Sequence, residues 1–135
     1  MDGQKDHMGN HQEVDVGVAS KLGKYSDAVL VDDGRRWLYT SGTPGLNADG
    51  SLPADFETQA RLAWTHVIAM LNAAGMDVGD IVKLTQSLTR RSDLEAYRSI
   101  RNQFLGDARP ASMLSFVSGL VMPDMLIEIE VVAAR

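Results

Sequence analysis

The run from Leu126 to Ala133, LIEIEVVA, constrains the fold of this chain more than any other stretch. Read with the two-residue period of a strand, it places Leu126, Glu128, Glu130 and Val132 on one face and Ile127, Ile129, Val131 and Ala133 on the other. At roughly 3.3 Å rise per residue, the two carboxylates stand about 6.6 Å apart. The aliphatic face needs a cover of helices. The acid-bearing face then looks onto water or onto a cleft.

A chain of 135 residues suits a single domain with one core. Residues 1–12 hold almost nothing to bury and are expected to form a disordered tail, leaving 13–135 as the domain. His7 and His11 fall in that tail, but Gly9 and Asn10 between them oppose the helix that would pair them on a metal, so no metal site is expected. The absence of cysteine removes disulfides, thiolate nucleophiles and cysteine metal sites, and agrees with a reducing compartment. No apolar run reaches the ~18 residues of a membrane span, and the first residues are not signal-like, so the expected location is the cytoplasm, away from membranes. A net charge of −5 has the wrong sign for tracking a phosphate backbone, which excludes nucleic acid as an expected partner.

Valines at 14, 16 and 18 alternate as in a first strand over Glu13–Val18. Ala28–Val31 and Trp37–Thr40 flank the turn signal Asp32-Asp33-Gly34 and predict a hairpin that ends at Ser41-Gly42. The turn-rich loop TPGLNADGSLP leads to a helix capped by Asp55, whose apolar stripe runs through Phe56, Ala60, Ala63, Val67, Leu71 and Ala74 to a stop at Gly75. His66, flanked one turn away by Leu62 and Met70, lacks the partners of a catalytic base and reads as a partly packed histidine; Trp64 reads as a packing residue. A turn at 77–80 precedes a strand over Ile81–Leu88 with Val82, Leu84 and Leu88 on one side. Ser92 and Glu95 have the spacing of a capping box for a second helix that buries Leu94, Tyr97, Ile100 and Phe104 and ends near Gly106. Two strands follow Arg109-Pro110. This order predicts an α+β or α/β sandwich, with helices on one face of a mixed sheet and the other face covered by further copies of the chain.

No GxSxG, glycine-rich phosphate loop, HExxH or Walker sequence is present. Chemistry therefore falls to carboxylates, hydroxyls and backbone groups, and no cofactor is expected. A carboxylate in a partly dry cleft holds or exchanges a proton with bound water, which singles out Glu128 and Glu130.

The segments GKYSDAV, LYTSGTPGLNADGSLPADFETQARLAW, LNAAGMDVGDIVKLT and LIEIEVVAAR, in this order and at these separations, resemble the YjgF/RidA family of reactive-intermediate deaminases. The likeness runs from about Lys21 to Arg135. It implies a chorismate-mutase-like two-layer α+β sandwich, with a six-stranded mixed sheet and two helices on one face. It further implies a homotrimer with clefts between subunits and hydrolysis of imines or enamines to a ketoacid and ammonia. On this resemblance Glu128 would orient or deprotonate the attacking water, while Tyr25, Ser41 and Gly42 match substrate-binding positions.

One position departs from the family. Where its deaminases carry a strand arginine that clamps the substrate carboxylate, this chain has Ser112, and two residues later Leu114 makes the cleft more apolar. A charge-assisted hydrogen bond contributes roughly 1.5–3 kcal/mol, and serine replaces neither the charge nor the planar fork. The expected substrate therefore lacks a carboxylate at the usual place, unless Arg109, Arg90 or Arg91 swings into the gap. Three readings follow: an imine or enamine hydrolase, a non-catalytic small-molecule binder of the same fold, and, disfavoured by charge, a ribonuclease or translation inhibitor.

Overall fold

The computed structural model describes residues 11–16, 19–21, 24–31 and 35–135. Most of the expected tail, including His7, lies outside them, as do Val18 of the first strand and the Asp32-Asp33-Gly34 turn. Strands β1 (His11–Val14), β2 (Ala28–Val31) and β3 (Trp37–Tyr39) precede helix α1 (Phe56–Ala73); β4 (Ile81–Leu88), α2 (Leu94–Leu105), β5 (Ala111–Phe116) and β6 (Ile127–Ala134) complete the order. Both helices pack on one face of a mixed sheet, the α+β layering expected. Among the described residues no helix is long and apolar enough to cross a membrane.

The six strands do not form one continuous sheet. Four make a sheet in the order β3-β6-β4-β5, and β1 pairs with β2 as a separate antiparallel ribbon. The hairpin expected between Ala28–Val31 and Trp37–Thr40 is therefore absent: β2 pairs with β1, while β3 pairs with β6. Local turn propensity loses to β6, whose long ladder offers β3 a buried partner. The first strand also starts earlier than expected, because His11 and Gln12 pair with Val31 and Leu30. A single parallel bridge from Ser26 to Ala111 ties the ribbon to the edge of the four-stranded sheet.

In β6, Ile127, Ile129, Val131 and Ala133 are all buried, while Glu128 is half-buried and Glu130 exposed. The covering helix α1 starts at Asp55, whose carboxylate accepts from the Thr58 backbone N–H at 2.9 Å and hydroxyl at 2.7 Å, and stops where Gly75 takes φ +72°. Trp64 is fully buried and stacks on Phe104 at 5.9 Å, as a packing residue should. His66 Nε2 donates to the Leu46 carbonyl at 2.8 Å, the bond of a partly packed histidine. The capping box expected at Ser92 does not form. Asp93 takes the N-cap place, without a side-chain cap, and its carboxylate instead holds Arg90. The reciprocal box occurs at Asp77 and Asp80, ahead of β4.

Two buried polar residues escaped the sequence patterns. Gln59, on the inner face of α1, donates to the carbonyls of Pro53 (2.8 Å) and Asp124 (3.0 Å) and accepts from Leu126 N–H (2.9 Å). It thereby staples the loop before α1 to the entry of β6. His11 is fully buried, with Nε2 donating to the Ala134 carbonyl at 2.5 Å and Nδ1 left without a partner.

Burial lowers the His11 pKa below its ordinary 6.5, outweighing the opposite pull of the Ala134 carbonyl and Asp80. A depressed folded-state pKa means that unfolding takes up a proton, so this contribution is present above about pH 6.5 and is lost as pH falls below it. The urea midpoint of the parent is expected to drop between about pH 7 and pH 5 more steeply than that of His11→Gln. Parallel slopes would locate the titration elsewhere.

Candidate functional site

The strand period divides the expected site residues between two faces of the sheet. Residues paired across neighbouring strands share a face, and Glu128 pairs with Ser87 and Glu130 with Thr85, away from the helices. Ser112 and Leu114 pair with Leu84 and Gln86, whose side chains are buried beneath the helices. Glu128 and Ser112 thus lie on opposite faces, with β4 between their strands.

Around Glu128 the backbone is irregular. Thr40 N–H donates to Val131 (3.0 Å) and Thr43 N–H to Ile129 (2.8 Å), so Ser41 and Gly42 together stand opposite the single residue Glu130. This extra residue is a β-bulge, a device that re-aims side chains and ends pairing. It lays Gly42 against the Glu128 side chain: a Cβ at 42 would come within 2.4 Å of Glu128 Oε1. The glycine is required by that close approach. Ser41 is exposed, and its carbonyl accepts from the Thr43 hydroxyl at 3.0 Å.

On the helix side, Tyr25, Ser112 and Leu114 meet in one cleft of about 430 Å³, walled by Leu94, Arg98 and Arg101 of α2. Tyr25 is held there by its neighbour Ser26, whose N–H donates to the Pro110 carbonyl at 3.2 Å and whose hydroxyl donates to the Arg109 carbonyl. Ser112 is held by Gln86. The Gln86 amide Nε2 donates to the Met113 carbonyl (3.0 Å) and to Ser112 Oγ (2.9 Å), and the buried Tyr97 hydroxyl donates to Gln86 Oε1 (2.5 Å). Because a carbonyl can only accept, Met113 decides which end of the amide is nitrogen, and the direction of the whole chain of hydrogen bonds follows. Burial raises the Tyr97 phenol well above its ordinary value, so it stays a donor.

The arginines that the sequence offers for this cleft, Arg90, Arg91 and Arg109, lie elsewhere. Arg90 is paired with Asp93 at 2.8 Å, Arg91 sits over the Phe116 ring at 4.5 Å, and Arg109 lines a separate small cavity beside Asp27. Among the described residues, no cluster of histidine, aspartate and glutamate has the makings of a metal site.

A family model described as Endoribonuclease L-PSP matches residues 18–135. The chain belongs to the YjgF/RidA family. The family member TdcF of Escherichia coli K12, named for reactive-intermediate deamination, is 36% identical over 101 residues, covering 73% of this chain and 78% of TdcF. The 2-iminobutanoate/2-iminopropanoate deaminase of Capra hircus is 34% identical over 116 residues, covering 84% and 82%. Among YjgF/RidA structures, a Rid-family protein from Yersinia pestis superposes with a TM-score of 0.80 at 27% identity, over 93% of this chain and 99% of its own. The crystal structure of E. coli TdcF with bound serine gives 0.70 at 34% identity, over 84% and 90%.

Two glycines of the 42–45 loop separate local from global tolerance. Gly42→Ala pushes only a half-buried carboxylate and is expected to move Glu128 while shifting the thermal midpoint by less than about 4 °C. Gly45→Ala would drive its Cβ to 1.9 Å from the Gln59 backbone carbonyl and should cost about 3 kcal/mol in urea denaturation. Equal destabilisation by the two would contradict this assignment.

Proposed function

We propose that the chain is a hydrolytic deaminase acting on an imine or enamine, in a cleft completed between copies of the chain. The observation that carries this reading is Glu128 itself: a half-buried carboxylate at a β-bulge, with the Gly42 backbone pressed against it. Such packing restrains the side chain, as a group that must orient water requires. The names of the relatives, for reactive-intermediate and 2-iminobutanoate/2-iminopropanoate deamination, support the reaction class.

The geometry of a single chain supports the role of further copies. Glu128, Ser41 and Gly42 occupy the open face, and Tyr25, Ser112 and Leu114 occupy the helix side. One chain cannot close both around one small molecule; a homotrimer, in which the open face of one copy meets the edge of the next, brings the two halves together. The open face has the apolar content for such an interface, with Tyr39 71% and Met113 56% exposed.

In the proposed reaction, water adds to the imine carbon while Glu128 takes one of its protons. The proton passes to nitrogen, the C–N bond breaks, and ammonia leaves behind a carbonyl product. An enamine first tautomerises to the imine. Tyr25, Ser41 and Gly42 line the substrate, and no cofactor is needed for this balance. A non-catalytic binder of the same fold is the second reading, favoured by serine at position 112.

Imines generated in situ by an amino-acid oxidase, with ammonia and ketoacid release followed, test the activity. Glu128→Gln keeps shape and removes the base, and is expected to lower kcat by about 10²- to 10⁴-fold while light scattering still gives about three times the 14.7 kDa chain mass. Unchanged turnover would make the acid structural. A parent without activity on any imine would favour the binder, and a monomer mass would remove the shared cleft.

A further inference from the structure

The Ser112 cleft is basic in an acidic protein. With a net charge of −5 overall, the chain gathers Lys24, Arg98 and Arg101 around one cavity, and among the described residues that line it there is no aspartate or glutamate. Arg98 and Arg101 sit three residues apart on α2 and so project from the same side of the helix. Two guanidinium groups placed side by side repel each other, and an anion between them relieves that repulsion.

Arg101 is the stronger half of the pair. It is 9% exposed, and its hydrogen-bond partner is a neutral amide, Asn102 Oδ1, at 3.3 Å from both Nε and Nη2. Among the described residues two of its five N–H groups are thus used, in long bonds, and its guanidinium lies 5.9 Å from the centroid of the Tyr97 ring. Burial pulls its pKa below the ordinary arginine value; Tyr97 opposes that pull and the neighbouring Arg98 adds to it. A buried guanidinium without a carboxylate is costly unless a ligand supplies one. Arg98 is more exposed and is steadied by one bond, from Nη1 to Glu95 Oε1 at 3.0 Å.

Ser112 adds a directed hydrogen bond. Its Oγ already accepts from Gln86 Nε2, and Gln86 is oriented by Met113 and Tyr97. The hydroxyl proton is therefore not used on Gln86 and is available to a ligand in the cavity that Ser112 lines.

We propose that Arg101 and Arg98 of α2, together with the Ser112 hydroxyl, form a binding site for the carboxylate of a small ligand. The clamp that the strand lost at position 112 is then supplied from the helix above it, and the substrate is a carboxylate-bearing imine after all. The catalytic meaning rests on the hydrolase reading given above; the anion site does not.

Titration calorimetry with 2-oxobutyrate and its uncharged analogue 2-oxobutanamide, on the full chain, separates the two. The parent is expected to bind the acid more tightly than the amide. Arg101→Gln should weaken acid binding by about tenfold or more, with little change for the amide, and Arg101→Lys should recover part of the loss. Equal acid affinity in the parent and Arg101→Gln, or no acid binding by the parent, would overturn the proposal. Should Arg101→Gln fail to fold, Arg98→Gln combined with Ser112→Ala decides: an expected loss of about tenfold supports the site, and parental affinity overturns it. Arg101-dependent acid binding without imine turnover would defeat the hydrolase reading and leave the anion site standing. Imine turnover in which Arg101→Gln changes kcat/KM equally for acid and amide substrates would do the reverse.

Discussion

Strand β6 is the constraint on which the rest of the molecule depends. It lies between β3 and β4, and α1 packs across its aliphatic face, so a slip of one residue would send Ile127, Ile129 and Val131 to the open side and bring two carboxylates into the core. At roughly 1.5–3 kcal/mol for each large aliphatic side chain buried, and more for each unpaired charge buried, that register has no competitor. The bulge at Ser41-Gly42 and the bridge at Thr43 are both counted from it. Glu128 stands where it does because Ile127 and Ile129 must be inside.

The other half of the candidate site depends on polar groups under the helices. Tyr97, Gln86 and Ser112 form one directed series of hydrogen bonds through the core, and Gln59 forms another at the entry to β6. A buried amide is tolerated only when each of its groups is satisfied, and both glutamines meet that condition. Their effect is to hold Ser112 and the β6 entry in fixed positions. The two walls face opposite ways, so the proposed cleft that uses both draws on more than one copy of this chain.

Much of this was legible in the chain itself. Helix α1 with its Asp55 cap and Gly75 stop, and the division of β6 into a buried and an acidic face, follow from spacing alone. The buried glutamines were not legible, because a polar residue on an apolar stripe looks like an interruption until its partners, distant in sequence, are in place. Gln86 sits between Leu84 and Leu88 as such an interruption, and it is what orients Ser112. Spacing in sequence points to Arg109, Arg90 and Arg91, whereas the arginines near position 112 in space are Arg98 and Arg101; the parallel β4–β5 pairing and the α2 crossover carry them there.

Period and propensity, being local, determined which segments are helix or strand and which face of β6 is dry. Pairing is a competition between segments far apart, and only the tertiary structure decided it: β3 left the expected hairpin for the β6 ladder, and β1 with β2 became a separate ribbon. The same holds for the charge of the cleft. An acidic sequence reads as hostile to anions when its charges are summed, but a sum carries no positions, and the fold sets three cations around one cavity with no carboxylate among the described residues that line it.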